Sequence, residues 1–136
     1  MSTTQPIRSK QLLHDFKEYF LTKQPNSRNY TLILIGLNTA LRINEILHLT
    51  WGDVYCTEHR RFYTHLLITE KKTEKETRIL INRELQETLL SYRKTQPSIA
   101  DTDYLFPSPR KADSPLSRYQ AYRIVRKAAE AVGIED

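Results

Sequence analysis

The 136 residues, with 39% hydrophobic and 27% charged side chains, suffice for one domain with its own core, and this composition excludes a disordered chain. The longest apolar run, residues 32–37, is too short to cross a membrane, and residues 1–5 lack a signal-peptide core, so we expect a cytoplasmic protein without membrane contact. The single Cys56 excludes an internal disulfide and a cysteine-based zinc cluster, while the net charge of +5 permits a polyanionic partner such as nucleic acid.

Two helices are predicted first. Residues 9–22 carry apolar side chains at helical spacing, and Ser9 can cap the start. A second helix begins at Asn26 or Ser27 and runs to about Leu37. It is apolar on most sides, so we expect it at the centre of the fold.

A short third helix and a small sheet follow. The third helix is predicted over residues 42–49, and the glycine within residues 51–53 favours a turn after it. Enrichment in β-branched and aromatic residues then predicts strands at 54–56, 62–69 and 77–81. We expect these strands to form one three-stranded antiparallel sheet. The polar turn before the last strand has, by composition alone, the character of a solvated hairpin loop.

The last third is predicted to be helical again. Asn82 or Arg83 opens a helix whose predicted buried stripe is Leu85, Leu89, Leu90 and Tyr92. Residues 104–106 form a short apolar plug. Ser117 can cap a final helix that Gly133 ends. The predicted class is therefore α+β, mainly a helical bundle with a small three-stranded antiparallel sheet, in a single domain over residues 1–136.

Arg42 and Glu45 are the charged residues of an otherwise apolar stretch. At helical spacing the two side chains share a face, so a structural ion pair is one interpretation. The other is an anion site, because the planar guanidinium matches a phosphate bidentately and stays charged at any working pH. Spacing alone leaves both open.

In order and spacing, several segments resemble the catalytic domain of the tyrosine recombinases, the phage integrase family. Residues 39–46 read TALRINEI and resemble the family's first arginine box, usually Thr-Gly-Leu-Arg-x-x-Glu-Leu. Residues 72–75 resemble the hairpin that carries the family's catalytic lysine. The resemblance covers about residues 8–136, and the arginine box is its most specific part. The remaining matching segments are 49–54, 105–107 and 131–134.

The resemblance implies a fold like that of DNA breaking-rejoining enzymes and a site-specific recombinase that acts on double-stranded DNA with other protomers, as a tetramer. It implies that Arg42 stabilises charge on the attacked phosphodiester and that Lys72 protonates the departing 5′ oxygen. Glu45 is expected to orient Arg42 or a nearby helix end. No metal or cofactor is expected. The further residues expected to contact DNA are Lys71, Lys75, Arg78, Arg118 and Arg123.

The chain also departs from the family pattern. Ala40 and Glu74 stand where glycine is commoner, which predicts wider turns. The family's His-x-x-Arg box and nucleophilic tyrosine follow the segment matched here, and the chain stops at Asp136. We therefore expect a truncated catalytic domain that is inactive alone. One alternative is a non-catalytic DNA-binding or accessory protein derived from the same fold, and another is a degenerate fragment with no function of its own.

Overall fold

The structure, a computed structural model, describes residues 9–69, 72–96, 99–111 and 113–134, which are mainly helical with small antiparallel hairpins. This confirms the α+β class. The helices are α1 (Lys10–Glu18), α2 (Ser27–Thr39), α3 (Ile43–Leu47), α4 (Trp51–Val54), α5 (Arg83–Lys94) and α6 (Arg118–Ala131). The strands are β1 (Tyr55–Cys56), β2 (Arg61–Phe62), β3 (His65–Thr69) and β4 (Glu76–Leu80).

Side-chain caps begin the four longer helices, as their sequences predict. The Ser9 hydroxyl accepts from the Leu12 N–H at the start of α1. Asn26 caps α2, Asn82 caps α5, and Ser117 caps α6. Each cap satisfies a backbone N–H that has no partner within its helix. The first predicted helix, over residues 9–22, instead divides into α1 and a π-helical turn, Tyr19–Lys23.

Helix α2 lies at the centre of the fold, which confirms its predicted position. It packs against α1, α3 and α5. Its Leu34 and Ile35 are almost fully buried and share one apolar cluster with Leu85 and Leu89 of α5. Ile33 belongs to a second cluster, which includes residues of α1 and α6. The helix is thus apolar on several sides because it contacts the rest of the domain on several sides.

An ion pair also connects α1 to α5. Lys17 Nζ lies 2.6 Å from Glu84 Oε2, and both side chains are partly exposed. The hydrogen bond from Lys17 lowers the pKa of the Glu84 carboxyl, and the same bond raises the pKa of the Lys17 ammonium. The pair therefore favours the charged form of both groups.

The predicted three-stranded sheet is wrong: within the described residues, the strands form two separate antiparallel pairs. β1 pairs with β2, and β3 pairs with β4. The predicted strand at 62–69 changes partner midway, because the Tyr63 N–H donates to the Val54 carbonyl, whereas the Thr64 carbonyl accepts from the Ile81 N–H. Two short hairpins result, and the second one projects towards residues 72–75.

A one-turn helix, α4, replaces the turn predicted at residues 51–53 and takes in Val54, which was expected in a strand. The Asp53 carboxylate accepts from both the N–H and the hydroxyl of Thr50 and so caps the helix. The Gly52 N–H donates to the Asp101 carbonyl at 2.9 Å. A Cβ at position 52 would lie 3.0 Å from that oxygen, so the close approach requires glycine.

The C-terminal third follows its prediction with one exception. Leu85, Leu89 and Tyr92 are buried along α5, but Leu90 is 43% exposed, because one step along a helix rotates a side chain off the buried stripe. The Tyr92 hydroxyl donates to the buried Leu105 carbonyl, and burial raises the pKa of Tyr92 to about 12. At Gly133 the chain turns at φ 85° and ends α6, as predicted.

No helix within the described residues is long and apolar enough to cross a membrane.

Ala40 and Glu74, where wider turns were expected, adopt the left-handed conformation that suits glycine. Their φ angles are 56° and 54°. Ala40 ends α2 within the arginine box, two residues before Arg42, and its side chain is exposed. A Cβ in this conformation crowds the following carbonyl, which costs roughly 1–2 kcal/mol. The backbone therefore keeps a glycine-like turn despite the side chain.

Replacing Ala40 with glycine should stabilise the protein. Relief of the left-handed strain exceeds the added flexibility of the unfolded chain, so we expect a gain of roughly 0.5–1 kcal/mol in the free energy of unfolding, measured by urea titration. Ala131→Gly is the matched control, because Ala131 is exposed in α6. Because Ala131 is the last residue of α6, this variant should lower stability only slightly. A loss in both variants would show that Ala40 carries no strain.

Candidate functional site

A cleft of about 710 Å³ separates the α3–α4 segment from the β3–β4 hairpin. Charged and polar side chains of α3 and α4 line one side, and the end of β3 with the hairpin turn lines the other. The lining residues are Arg42, Asn44, Glu45, His48, Leu49, Asp53, Leu67, Ile68, Thr69, Lys72 and Thr73.

Arg42 stands at the N-terminus of α3, not inside it. Its backbone is extended, with φ −71° and ψ 150°, and its carbonyl accepts the first helical hydrogen bond, from the Ile46 N–H. The predicted helix over residues 42–49 therefore starts one residue later. The Arg42 side chain is exposed to solvent, as are those of Ala40 and Asn44 beside it, whereas residues 31–35 and 46–47, further along the chain in each direction, are buried.

Glu45 holds the backbone of Arg42, so the interpretation as a structural ion pair is wrong. The Glu45 carboxylate accepts from the Arg42 N–H at 2.9 Å. The guanidinium cannot accept a hydrogen bond in return, so this is one half of a capping box. Among the described residues, the Arg42 guanidinium makes no ion pair.

Asp53, the other carboxylate in the cleft, is bound in the same manner. It accepts from the Thr50 N–H at 2.8 Å and from the Thr50 hydroxyl at 3.1 Å. Both carboxylates therefore satisfy groups at helix N-termini, where negative charge is favoured. Their positions leave the cleft's cations available to an anion from outside the chain.

Lys72 lies in the turn of the β3–β4 hairpin. The last paired residues before the turn are Thr69 and Glu76, and the Lys72 side chain is exposed. Lys72 and Arg42 line the same cleft from two different elements. This confirms the prediction that they lie on one side of the molecule. Lys72 makes no ion pair within the described part of the chain.

The other basic residues expected to contact DNA do not line this cleft. Lys71 lies outside the described residues. Lys75 and Arg78 are exposed on the hairpin, and Arg118 is exposed at the first position of α6. Arg123 packs over the Tyr119 ring at 5.8 Å and lines a separate groove of about 800 Å³, whose other cations are Arg28, Arg126 and Lys127.

Two titratable residues of the cleft, His48 and Asp53, were not predicted as site residues. His48 Nδ1 lies 2.8 Å from the Asn44 carbonyl, four residues earlier. Its spacing at the end of a helix was the available signal. For Asp53 the signal was the spacing Thr50-x-x-Asp53, which matches a capping box. In the described parts of the chain, no three His, Cys, Asp or Glu side chains come together as a set of metal ligands.

Comparison with known proteins gives consistent matches. Residues 5–136 match a family model described as the phage integrase family. The chain is 42% identical over 136 residues to the probable integrase/recombinase YoeC of Bacillus subtilis (strain 168), a match that covers all of this chain and 68% of that protein.

Solved structures share the fold. The crystal structure of XerA recombinase has a TM-score of 0.72 and 22% identity, covering 98% of this chain and 46% of that chain. The Tn1549 transposon integrase in complex with a circular intermediate DNA has a TM-score of 0.60 and 21% identity, covering 94% and 47%. The chain thus spans about half the length of these structures.

Glu45→Ala should destabilise the protein, because it leaves the Arg42 N–H without its acceptor. We expect a loss of about 1 kcal/mol in the free energy of unfolding by urea titration. Glu45→Gln keeps an acceptor oxygen and should lose much less. An equal loss in the two variants would show that the charge of Glu45 matters, and not its hydrogen bond.

Proposed function

Because the chain belongs to the phage integrase family, we propose that it forms part of the DNA-binding and catalytic surface of a site-specific DNA recombinase. One observation carries the proposal: Arg42 and Lys72, from separate elements, line one cleft without an ion-pair partner among the described residues. The chain spans about half the length of the solved recombinases that it resembles, so the activity of the whole protein is part of this proposal.

In this proposal Arg42 binds the scissile phosphate of double-stranded DNA. Attack on a phosphodiester concentrates negative charge on the non-bridging oxygens, and a planar guanidinium can bind two of them at once. The backbone of Arg42 is already held by Glu45 at 2.9 Å, so less freedom is lost when DNA binds. Glu45 acts here as a positioning residue and does not touch the substrate.

Lys72 is proposed as the general acid. When the phosphodiester bond breaks, the departing 5′ oxygen takes up the electron pair of the P–O bond and needs a proton. An ammonium can donate that proton, and its position in a hairpin turn lets it follow the DNA strand. A neighbouring phosphate also attracts the ammonium, whether or not proton transfer occurs.

The remaining basic residues are proposed as contacts to the DNA backbone. Lys75 and Arg78 are exposed on the hairpin, and Arg118 and Arg123 are exposed on α6, where each can meet a phosphate. Lys71 is proposed to act with them. Such contacts give affinity without reading base sequence. Other protomers, bound to the same DNA, would complete the recombination complex.

We propose that residues 1–136 alone bind DNA without cleaving it. In the family pattern, the nucleophilic tyrosine follows the positions that match this chain. The residues assigned here supply charge stabilisation and a proton, and neither replaces a nucleophile. A non-catalytic DNA-binding protein of the same fold would also bind DNA, so only a test of the chemistry separates the two functions.

The chain should bind duplex DNA with strong salt dependence. Each phosphate neutralised by a cation contributes about −0.9 to the slope of log affinity against log salt concentration. Arg42→Ala should make the slope measured by fluorescence anisotropy shallower by about that amount. Arg61→Ala, a change of an equally charged, exposed residue outside the cleft, is the matched control and should change it less. A wild-type affinity that does not respond to salt would contradict the proposed DNA binding.

Lys72→Ala should slow cleavage only when the leaving group needs a proton. The test uses a protein extended with its natural downstream sequence. On a suicide substrate with a 5′-oxygen leaving group, Lys72→Ala should lower the rate of covalent adduct formation by roughly 10²–10⁴-fold. A 5′-bridging sulfur should restore the rate, because a thiolate leaves unprotonated.

Residues 1–136 alone should form no adduct on either substrate. If Lys72→Ala slows cleavage equally on both, Lys72 is not the acid. If the extended protein forms no adduct either, the non-catalytic function is favoured.

A further inference from the structure

His48 shares the cleft with Arg42 and Lys72, although its position is not one of those that carry the family resemblance. It lies at the C-terminal end of α3, and its side chain is exposed. An exposed histidine normally moves among several rotamers. This one contacts two fixed groups.

The first contact fixes which ring nitrogen carries the hydrogen. His48 Nδ1 lies 2.8 Å from the Asn44 carbonyl oxygen, which can only accept. Nδ1 must therefore donate, and in the neutral ring Nε2 holds the lone pair. Nε2 has no hydrogen-bond partner among the described residues. Protonation converts this nitrogen into a donor without breaking the bond at Nδ1.

The second contact fixes the plane of the ring. The imidazole meets the Tyr104 ring edge to face, with the centroids 6.2 Å apart and the planes at 87°. The main chain at Tyr104 is held in place: it pairs with Thr50 in a β-bridge, and the next residue, Leu105, donates its N–H to the Leu49 carbonyl. The His48 ring is thus preorganised on an exposed surface.

We propose that His48 is a third DNA-contacting residue of the cleft, with Nε2–H of the imidazolium donating to a backbone phosphate beside the one bound by Arg42. This rests on the proposed function. Histidine is the side chain whose charge changes between about pH 5 and 8, so the contact adds a pH-dependent component to DNA affinity. The other titratable or charged groups that line the cleft or pack on His48 are Arg42, Glu45, Asp53, Lys72 and Tyr104.

The geometry also serves a purely structural purpose, since Nδ1–H satisfies a carbonyl near the end of α3. The two roles use different nitrogens, and this makes them separable. His48→Asn keeps an N–H donor at the δ position and removes Nε2. His48→Ala removes both.

The experiment measures the slope of log affinity against log salt concentration for duplex DNA at pH 6 and pH 8. For the wild-type chain we expect a slope steeper by about 0.9 at pH 6, the contribution of one phosphate. His48→Asn should lose this increment while keeping the wild-type melting temperature. His48→Ala should lose the increment and should also melt at a lower temperature than the wild-type chain. His14→Asn is the control, because His14 is exposed on α1, away from the cleft, and it should keep the increment.

Nitrogen-15 spectra of the wild-type imidazole give a second measurement that needs no variant. Duplex DNA should shift Nε2 of His48 and leave Nδ1 nearly unchanged. An increment that survives in His48→Asn, or an unshifted Nε2 in the DNA complex, would overturn the role of His48 while the salt-dependent binding remained. Absence of DNA binding at both pH values would overturn the proposed function and the role of His48 together.

Discussion

The hydrogen bond from the Arg42 N–H to the Glu45 carboxylate determines how the cleft is built. This bond lies where the connection from α2 ends and α3 begins. It therefore fixes the direction in which the Arg42 side chain leaves the backbone. The same carboxylate cannot neutralise the guanidinium as an ion pair would, because it is engaged with the main chain. A residue that could have cancelled the positive charge instead positions it.

Other parts of the fold hold the segment that follows Arg42 in place. Helix α4 packs against β3. Carbonyls of the loop before the apolar plug, at Asp101 and Asp103, accept from the N–H groups of Gly52 and Trp51, and Leu105 of the plug donates its N–H to the Leu49 carbonyl. Trp51 is buried, and Arg93 lies 5.7 Å above its ring. The segment that carries the site is therefore held by backbone hydrogen bonds and by a buried tryptophan, which limits its movement.

The sequence predicted those features that depend on neighbouring residues. The caps at Ser9, Asn26, Asn82 and Ser117 follow from a polar side chain placed just before a periodic apolar run. The arginine box and the hairpin lysine could be identified because their spacing resembles a known pattern. Their meeting in one cleft followed from that resemblance.

Other features depend on choices that spacing does not reveal. The spacing placed Glu45 near Arg42, but it did not show whether Glu45 would bind the side chain or the backbone of Arg42. The division of the sheet depends on bonds from Tyr63 to Val54 and from Ile81 to Thr64, which link distant parts of the chain. His48 was missed because its position at the end of α3 indicates only a cap, and its ring partner, Tyr104, lies far along the chain.

The change of hydrogen-bond partner between Tyr63 and Thr64 makes β3–β4 a separate hairpin that extends from its own base. Its base is held where Ile81 bonds Thr64, and Lys72 lies beyond the fifth paired rung. At about 3.4 Å per residue, the arm is roughly 17 Å long, so a rotation of about 10° at the base displaces the tip by roughly 3 Å. A rotation of that size at the base would therefore change the spacing between the Lys72 ammonium and the Arg42 guanidinium by up to about the same amount.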